Sequence, residues 1–221
     1  MIEELDCIGG YPYNRNMRTI PREVSRCGNR DDPVETTRRR LQTASKSELE
    51  MYLLGAFHDA TFNRKHQTIR FSQSNIGWLK ILQIILDKLG SKSWIYKEGK
   101  QRSVWALETT AKLTKHHLNL NRKEMMMYIR GYFDAEGGMP RSKDCFLYFQ
   151  FSQKDKPDLE KVKVYLESLE LKCGLIHNPS KKIDENYWRF FISRDSHKAF
   201  MKLIYSFHPR KMRQMDCRMK I

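Results

Sequence analysis

The chain has 221 residues, which is enough for one large domain or two small ones with a substantial core. Its 41 lysines and arginines against 26 aspartates and glutamates give a net charge of +15, which is self-repelling unless a polyanion binds, so nucleic acid is the predicted partner. No apolar run reaches about 18 residues, and no signal peptide or lipidation signal is evident, so we expect neither membrane association nor secretion. The five cysteines are scattered without a C-x-x-C pair, which favours free thiols over disulfides or a zinc site. We expect an intracellular protein, in the cytoplasm or nucleoid of a prokaryote or in an organelle matrix.

Residues 1–45 are the least regular part of the chain. They contain several glycines and prolines, show weak hydrophobic periodicity, and carry the basic run from Arg38 to Arg40. We interpret them as a basic amino-terminal arm that is extended or partly disordered. The arm could follow a phosphate backbone, and it could equally be a solvated tail or the by-product of a gene fused to an upstream reading frame.

Residues 46–122 are predicted to form a first structural unit. Ser45 and Ser47 each have a glutamate three residues later, which is typical of a capping box at the start of a helix. The alternating pattern at 68–73 predicts a strand, and the apolar spacing at 78–89 predicts an amphipathic helix. The remaining predicted elements are a hairpin with strands at 93–97 and 103–108 and a short helix at 111–117.

Residues 123–221 are predicted to form a second unit with the same order of elements. The tripeptide Phe-Ser-Gln ends equivalent strands, at Gln73 and at Gln153. An internal repeat of this kind predicts two similar α/β halves about a pseudo-twofold axis. After a first helix, the predicted elements are a strand at 146–153, a helix at 157–171, strands at 172–177 and 187–192, and a helix at 196–207.

The segment 128–138 opens the second unit and carries its strongest functional pattern. An apolar helical run ends in two carboxylates, Asp134 and Glu136, and the glycine pair that follows stops a helix readily. The helix dipole disfavours carboxylates at a helix carboxyl end, so their position needs a reason. A divalent cation bound between carboxylate and backbone oxygens provides one, and an ordinary helix ending in a solvated acidic turn is the alternative.

The segment 52–61 opens the first unit and has the same build. Gly55 takes the place of Gly131, and an Asp-Ala pair, Asp59 and Ala60, follows it. Together, the two segments resemble the paired LAGLIDADG motifs of homing endonucleases and of the related intron maturases.

The two segments do not fit that motif equally well. The second fits residue by residue and puts Glu136 at the family's metal-binding acid. Aligned on its glycine, the first puts Ala60 at the acid position, and aligned on Asp-Ala it puts Thr61 there. The nearest carboxylate is Asp59, which either replaces the missing acid or only caps and pairs with neighbouring groups.

The resemblance implies an α+β fold. Two pseudo-symmetric αββαββα halves would pack through the central motif helices, and curved antiparallel sheets would form a DNA-binding saddle. Gly55 and Gly131 would let the two helix backbones approach closely. The implied protein is a monomer with internal pseudo-twofold symmetry that binds double-stranded DNA, or RNA in the case of a maturase.

The resemblance also implies metal-dependent hydrolysis of phosphodiester bonds, with Mg²⁺ or another divalent cation such as Mn²⁺ or Ca²⁺. The implied metal ligands are the carboxylates of Asp59 and Glu136 and the backbone carbonyls of Ala60 and Ala135. The implied supporting groups are Gln73, Gln153 and a lysine after the final helix of each half: Lys123 or Lys112 in the first half, and Lys211 in the second.

Basic residues in or beside the predicted strands are the candidate DNA contacts. Most of them should contact phosphates and only some should contact bases. They are Arg64, Lys65, Arg70, Lys97, Lys100, Arg102, Arg141, Lys143, Lys181, Lys182 and Arg189.

The sequence leaves two classes of function open. The first is a site-specific, metal-dependent DNA endonuclease that cuts a long double-stranded target. The second is a binding protein, either an intron RNA maturase or a DNA-binding regulator, that keeps the scaffold without catalysis. A nickase lies between the two, because each acid of such a site would serve one strand.

Overall fold

The computed structural model describes residues 32–99, 103–112, 120–142 and 145–219. Across these residues the helices are α1 (Pro33–Leu41), α2 (Lys46–Ala56), α3 (Ile76–Lys88), α4 (Arg122–Glu136), α5 (Lys156–Ser168), α6 (His197–Leu203) and α7 (Pro209–Met219). The strands are β1 (Thr61–Asn63), β2 (Thr68–Gln73), β3 (Ser93–Glu98), β4 (Val104–Thr109), β5 (Gly137–Gly138), β6 (Gln150–Gln153) and β7 (Trp188–Phe191). Short 3₁₀ helices span Phe57–Asp59 and Arg194–Ser196.

The two motif helices, α2 and α4, begin in the same way. Ser45 accepts a hydrogen bond from the backbone of Glu48, whose carboxylate reaches back to the backbone of Ser45. Asn121 and Glu124 form the same capping box at the start of α4. Of the two serines that the sequence offers, Ser45 is therefore the cap.

Each half contributes one antiparallel sheet, as expected for the mixed α/β fold. The first sheet has the strand order β1-β2-β4-β3, and the second has the order β5-β6-β7. Gln73 lies opposite Trp105 in the first sheet, and Gln153 lies opposite Trp188 in the second. The predicted strand at 172–177 is reduced to two isolated bridges, at Cys173 and at His177, among the described residues.

The motif helices cross with their backbones in contact. A β-carbon added to Gly55 would lie 2.1 Å from the carbonyl oxygen of Tyr128, and one added to Gly131 would lie 2.0 Å from that of Tyr52. Each tyrosine stands three residues before the glycine of its own helix. The two contacts are therefore equivalent, and a twofold rotation that superimposes one helix on the other also superimposes the contacts. This confirms the close approach and marks the position of the pseudo-twofold axis.

One continuous core runs through both halves and orients the site residues. Phe71 and Phe151 are fully buried on the inner faces of β2 and β6. Side chains of a strand alternate between its two faces, so Gln73 and Gln153, two residues further on, share those inner faces. Both glutamines therefore lie on the side of the sheets that packs against the motif helices.

The predicted amino-terminal arm ends earlier than expected, because residues 33–41 form helix α1. Asp32 caps this helix by accepting a hydrogen bond from the backbone of Val34. Thr37 and Leu41 are fully buried against the rest of the fold. The disordered interpretation is wrong for this stretch, because its few apolar residues are stabilised by distant contacts that local periodicity does not reveal.

Helix α7 was not predicted either. Its inward-facing residues are Met212, Met215 and the buried Lys211, and the rest of the helix is mostly charged or polar, so the apolar pattern is thin. Pro209 at its start is compatible with a first helical turn. As a result Lys211 lies within a helix, and not in a segment after the last helix.

Parts of the predictions lie outside the described residues: 1–31, Lys100, Arg102, most of the short helix at 111–117, and Lys143. In the described part of the chain, no helix is long and apolar enough to cross a membrane. Cys173 is a free thiol, as expected.

Candidate active site

The first motif helix ends differently from the second, and the difference repositions Asp59. Helix α4 stays α-helical through Glu136, whereas α2 ends at Ala56 and the chain continues as the 3₁₀ turn Phe57–Asp59. Ala56 and Tyr132 are equivalent, since each follows the glycine of the crossing. Three residues of 3₁₀ helix rise about 6 Å and turn about 360°, and four residues of α-helix rise about 6 Å and turn about 400°. Asp59 therefore reaches the level of Glu136, with a direction only about 40° different.

Asp59 is held by the glutamine of its own half. The amide nitrogen of Gln73 donates a hydrogen bond of 2.7 Å to the Asp59 carboxylate. Burial raises the pKa of the Asp59 carboxyl, while this hydrogen bond and the positive charge of Lys211 act in the opposite direction. The half-buried Asp59 carboxylate is thus oriented by the neutral amide of Gln73 and lies close enough to the ammonium of Lys211 to be affected by its charge.

Glu136 is the counterpart of Asp59 in the second half. Burial and the negative charge of Asp59 raise the pKa of Glu136 to about 7, against the opposing effects of Gln153 and Lys211. The charge of Asp59 acts on Glu136, as a nearby carboxylate does, and Lys211 acts on both acids. The pairs Asp59–Gln73 and Glu136–Gln153 therefore bring matched groups from the two halves together.

Lys211 is buried behind the end of α4. Its ammonium donates hydrogen bonds to the carbonyl oxygens of Phe133 and Asp134, the second at 3.0 Å. A cation at the carboxyl end of a helix stabilises the exposed carbonyls there. Burial lowers the pKa of Lys211 to about 8, while the charges of Asp134, Asp59 and Glu136 oppose that shift.

Of the two lysines considered for the first half, Lys123 lies far from the paired carboxylates. Lys123 stands in the first turn of α4, whereas Glu136 is its last residue, so the two are separated by about 20 Å along the helix axis. Lys112 is exposed. The structure therefore brings Lys211, and not Lys123, to the paired carboxylates.

Asp134 has a structural environment distinct from that of the two site acids. It is buried and accepts hydrogen bonds from the hydroxyl of Tyr52 at 2.7 Å, from the backbone of Phe207 at 2.9 Å and from the hydroxyl of Ser206. In the first motif, His58 occupies the equivalent position and lies 3.2 Å from the hydroxyl of Tyr128. In each motif, the residue three positions after the glycine, Asp134 or His58, contacts the tyrosine of the other motif helix. These two contacts join the halves.

The outward faces of the sheets are more mixed in charge than the sequence suggests. The guanidinium of Arg70 forms a 2.7 Å ion pair with Glu98. Beside it, Glu108 accepts hydrogen bonds from Tyr96 at 2.6 Å and from Thr68 at 3.0 Å. Arg70 is therefore paired within the sheet, which the hairpin register brings about and the isolated sequence does not reveal.

The other candidate DNA contacts have varied surroundings. Arg189 donates a hydrogen bond of 3.3 Å to His177 and packs 5.3 Å from the ring centroid of Phe191. Gln214 donates to the backbone of Arg141. Arg64, Lys65, Lys97, Arg141, Lys181 and Lys182 are exposed.

The donor set of the site fits a divalent cation. Among the described residues there is no cluster of three or more His, Cys, Asp or Glu side chains that could hold a metal by themselves. The site offers two carboxylates, and the carbonyl of Ala135 accepts no hydrogen bond from the described residues, whereas those of Phe133, Asp134 and Glu136 do. Mg²⁺ is commonly bound by one or two carboxylates, with water and substrate phosphate completing its shell.

Comparison with known proteins identifies the fold. Residues 123–205 match the family model of a LAGLIDADG-like domain. The structure of I-DmoI in complex with DNA and Mn is similar with a TM-score of 0.57 and 20% identity, over 73% of this chain and 98% of that chain. The N-terminal LAGLIDADG domain of DUF199/WhiA is similar with a TM-score of 0.60 and 16% identity, over 80% of this chain and 91% of that chain. The comparison with curated proteins gives no match.

These matches agree with the observed architecture. The full-length DUF199/WhiA from Thermatoga maritima aligns over 85% of this chain and 66% of that chain, with a TM-score of 0.60 and 16% identity. At such identities the likeness concerns the fold, and the matched domain covers the half that contains Glu136. Residues 123–205 are therefore similar to a LAGLIDADG-like domain, and the chain has the fold of LAGLIDADG proteins with two motif helices.

Proposed function

We propose that the protein is a metal-dependent DNA endonuclease of the homing endonuclease type, with Asp59 and Glu136 as its metal-binding carboxylates. The observation that carries this proposal is the 3₁₀ turn after Ala56. It brings Asp59 to the level of Glu136 and against Gln73, although the first motif lacks an acid at position 60. If the first motif had no metal to bind, there would be no reason for Asp59 to take the place of the missing acid.

The chain's own groups have distinct roles in this proposal. Asp59 and Glu136 hold the cation, and Gln73 and Gln153 fix the direction in which their carboxylates point. Lys211 holds the end of α4 and contributes positive charge near the scissile phosphate. The bound cation would stabilise charge on the phosphoryl group and lower the pKa of a water molecule.

Mg²⁺ is the proposed cofactor, with Mn²⁺ or Ca²⁺ as alternatives. The similar structures of I-DmoI were determined as DNA complexes with Mn, with Ca and with Mg, which supports both a divalent cation and double-stranded DNA here. The net charge of +15 supports the same partner. We further propose that the protein acts as a monomer, since both halves of the site lie in one chain.

The decisive experiment identifies cleaved sequences and then removes one acid. A library of randomised duplexes is incubated with the protein and Mg²⁺, cleaved molecules are recovered, and the selected target is placed in a supercoiled plasmid. The wild type should give linear product, and the Asp59→Asn variant should stop at nicked circle. Asp87→Asn, which changes an exposed aspartate on α3, is the matched control and should cut like the wild type.

The outcomes separate the endonuclease from its alternatives. Linear product from both wild type and Asp59→Asn would exclude a role for Asp59. Nicked circle from the wild type would indicate a nickase that uses Glu136 alone. Binding without any cleavage would favour the RNA maturase or the DNA-binding regulator, an alternative supported by Ala60 standing where the second motif has Glu136.

A further inference from the structure

Tyr132 lies next to the candidate site but has no part in the roles described so far. It stands four residues before Glu136 in α4, and residues four apart in an α-helix are neighbours on one face. Its ring centroid lies 4.5 Å from that of His58 and 6.1 Å from that of Phe151. Phe151 and Gln153 share the inner face of β6, so Tyr132 has Glu136 and Gln153 as neighbours.

The hydroxyl of Tyr132 is buried, and its proton has no acceptor among the described residues. The side chain is 0% exposed, and the polar group that acts on the hydroxyl is the side chain of Gln153, which is placed to donate to its oxygen. By contrast, the hydroxyl of Tyr128, one turn earlier, lies 3.2 Å from the imidazole of His58. A buried hydroxyl whose proton has no acceptor costs stability that phenylalanine at the same position would avoid, so its presence calls for an acceptor.

The position of Tyr132 indicates which groups lie near its hydroxyl. Glu136 follows one turn later on the same face of α4, and Gln153 shares the inner face of β6 with Phe151, whose ring Tyr132 contacts. The hydroxyl is therefore a hydrogen-bond donor beside the Glu136–Gln153 pair.

We propose that Tyr132 is a positioning residue, whose hydroxyl donates a hydrogen bond to the Glu136 carboxylate when that carboxylate binds a divalent cation. A donor behind a ligating carboxylate fixes its orientation and strengthens binding. The inference rests on the proposed metal-dependent function and adds a residue to it.

The proposal also makes the two halves of the site unequal. The position equivalent to Tyr132 in the first half is Ala56, which has no donor. Among the described residues, Asp59 is therefore oriented by Gln73, whereas Glu136 has both Gln153 and Tyr132. Loss of the Tyr132 hydroxyl should affect the Glu136 half only.

The test compares Tyr132→Phe with Tyr128→Phe, two variants that each remove one hydroxyl from α4. Mn²⁺ is titrated into the complex with the selected duplex and followed by the electron paramagnetic resonance signal of free Mn²⁺, with duplex alone as the blank. Tyr132→Phe should lower the Mn²⁺ affinity by about tenfold to a hundredfold while its melting temperature without metal is unchanged or higher. Tyr128→Phe should lower the melting temperature, because it loses the contact with His58, and should keep the Mn²⁺ affinity within about twofold.

Failure of this inference is distinguishable from failure of the proposed function. If Glu136→Gln weakens Mn²⁺ binding and Tyr132→Phe does not, the role of Tyr132 is refuted and the metal site stands. A lower melting temperature with unchanged affinity would make Tyr132 a structural residue only. If neither the wild type nor Glu136→Gln binds Mn²⁺ above the duplex blank, the metal-dependent function fails, and the positioning role fails with it.

Discussion

Replacing either crossing glycine by alanine should destabilise the protein by about 2 kcal/mol. The added β-carbons would lie 2.1 Å and 2.0 Å from backbone oxygens, at Gly55 and Gly131 respectively. Ordinary contact begins near 3.4 Å, so the helices must separate by about 1.3 Å, enough to forfeit a large part of the dispersion energy of the crossing. Overpacking costs about 1–3 kcal/mol, and a rigid backbone neighbour puts this site at the upper end. Alanine has a higher helix propensity than glycine, which stabilises the variant by about 1 kcal/mol and leaves a net loss of about 2 kcal/mol in the free energy of unfolding.

The assay is thermal unfolding of Gly55→Ala, Gly131→Ala and a control. In a chain of this size, a loss of about 2 kcal/mol lowers the melting temperature by about 4–8 °C. Gly174→Ala is the control, because its β-carbon would meet the nearest atom, the Phe191 carbonyl oxygen, at an ordinary 3.4 Å, and its cost should stay within about 0.5 kcal/mol. If the two crossing variants melt within about 2 °C of this control, the helices do not meet as described.

The double variant tests the reciprocity of the two contacts. The same widening of the crossing relieves the clash at Gly55 and the clash at Gly131. The double variant should therefore cost clearly less than the sum of the single variants, with an interaction of about 0.5–3 kcal/mol. Strict additivity would mean that the two glycines lie in independent contacts.

Four further outcomes are expected. DNA binding should weaken with salt by about 0.9 in the slope of log K against log salt for each phosphate neutralised, measured by fluorescence anisotropy, and a slope near zero would exclude the electrostatic interface. Glu136→Gln should abolish cleavage of at least one strand while DNA affinity stays unchanged, as plasmid cleavage and anisotropy would reveal. Asp134→Asn should lower the melting temperature, because the buried carboxylate accepts three hydrogen bonds, and an unchanged value would contradict its structural role. Burial and the charges of Lys211 and Arg210 lower the pKa of His208 to about 3, so below about pH 6.5 this histidine stays neutral in the folded protein while the unfolded chain gains a proton. The free energy of unfolding should therefore fall by at most about 1.4 kcal/mol per pH unit as the pH drops from about 6.5. Denaturant titrations of His208→Gln should lack this pH dependence.

The sequence predicts the motif helices well because their signals are local. The capping boxes at Ser45 and Asn121, the apolar runs and the glycines each act within a few residues of the chain. Helices α1 and α7 were missed for the opposite reason. Leu41 and Met215 are fully buried, but each is surrounded in sequence by polar residues, so only contacts with distant elements reveal them.

Side-chain partners were the least predictable part of the candidate site. The sequence predicts one supporting lysine in each half, and it does not reveal that Lys211 reaches the site while Lys123 does not, because this depends on α7 packing against the end of α4. The pairing of Arg70 with Glu98 depends on the hairpin register. Tyr132 resembles any other residue of an apolar run, and the buried hydroxyl that sets it apart is visible in the structure alone. The four-residue spacing to Glu136 is the one signal in the sequence that could point to it.

The irregular first motif is the point at which a working site and a decayed one differ most. If α2 continued as an α-helix to residue 60, Ala60 would occupy the level of Glu136, and Asp59 would point about 100° away from it. The chain instead tightens into a 3₁₀ turn after Ala56, which costs hydrogen-bond quality and is used only in short pieces. In return, Asp59 reaches both Gln73 and the electrostatic field of Glu136. A local distortion that restores a paired carboxylate, and that the helix itself does not need, supports the proposed metal site over the decayed motif.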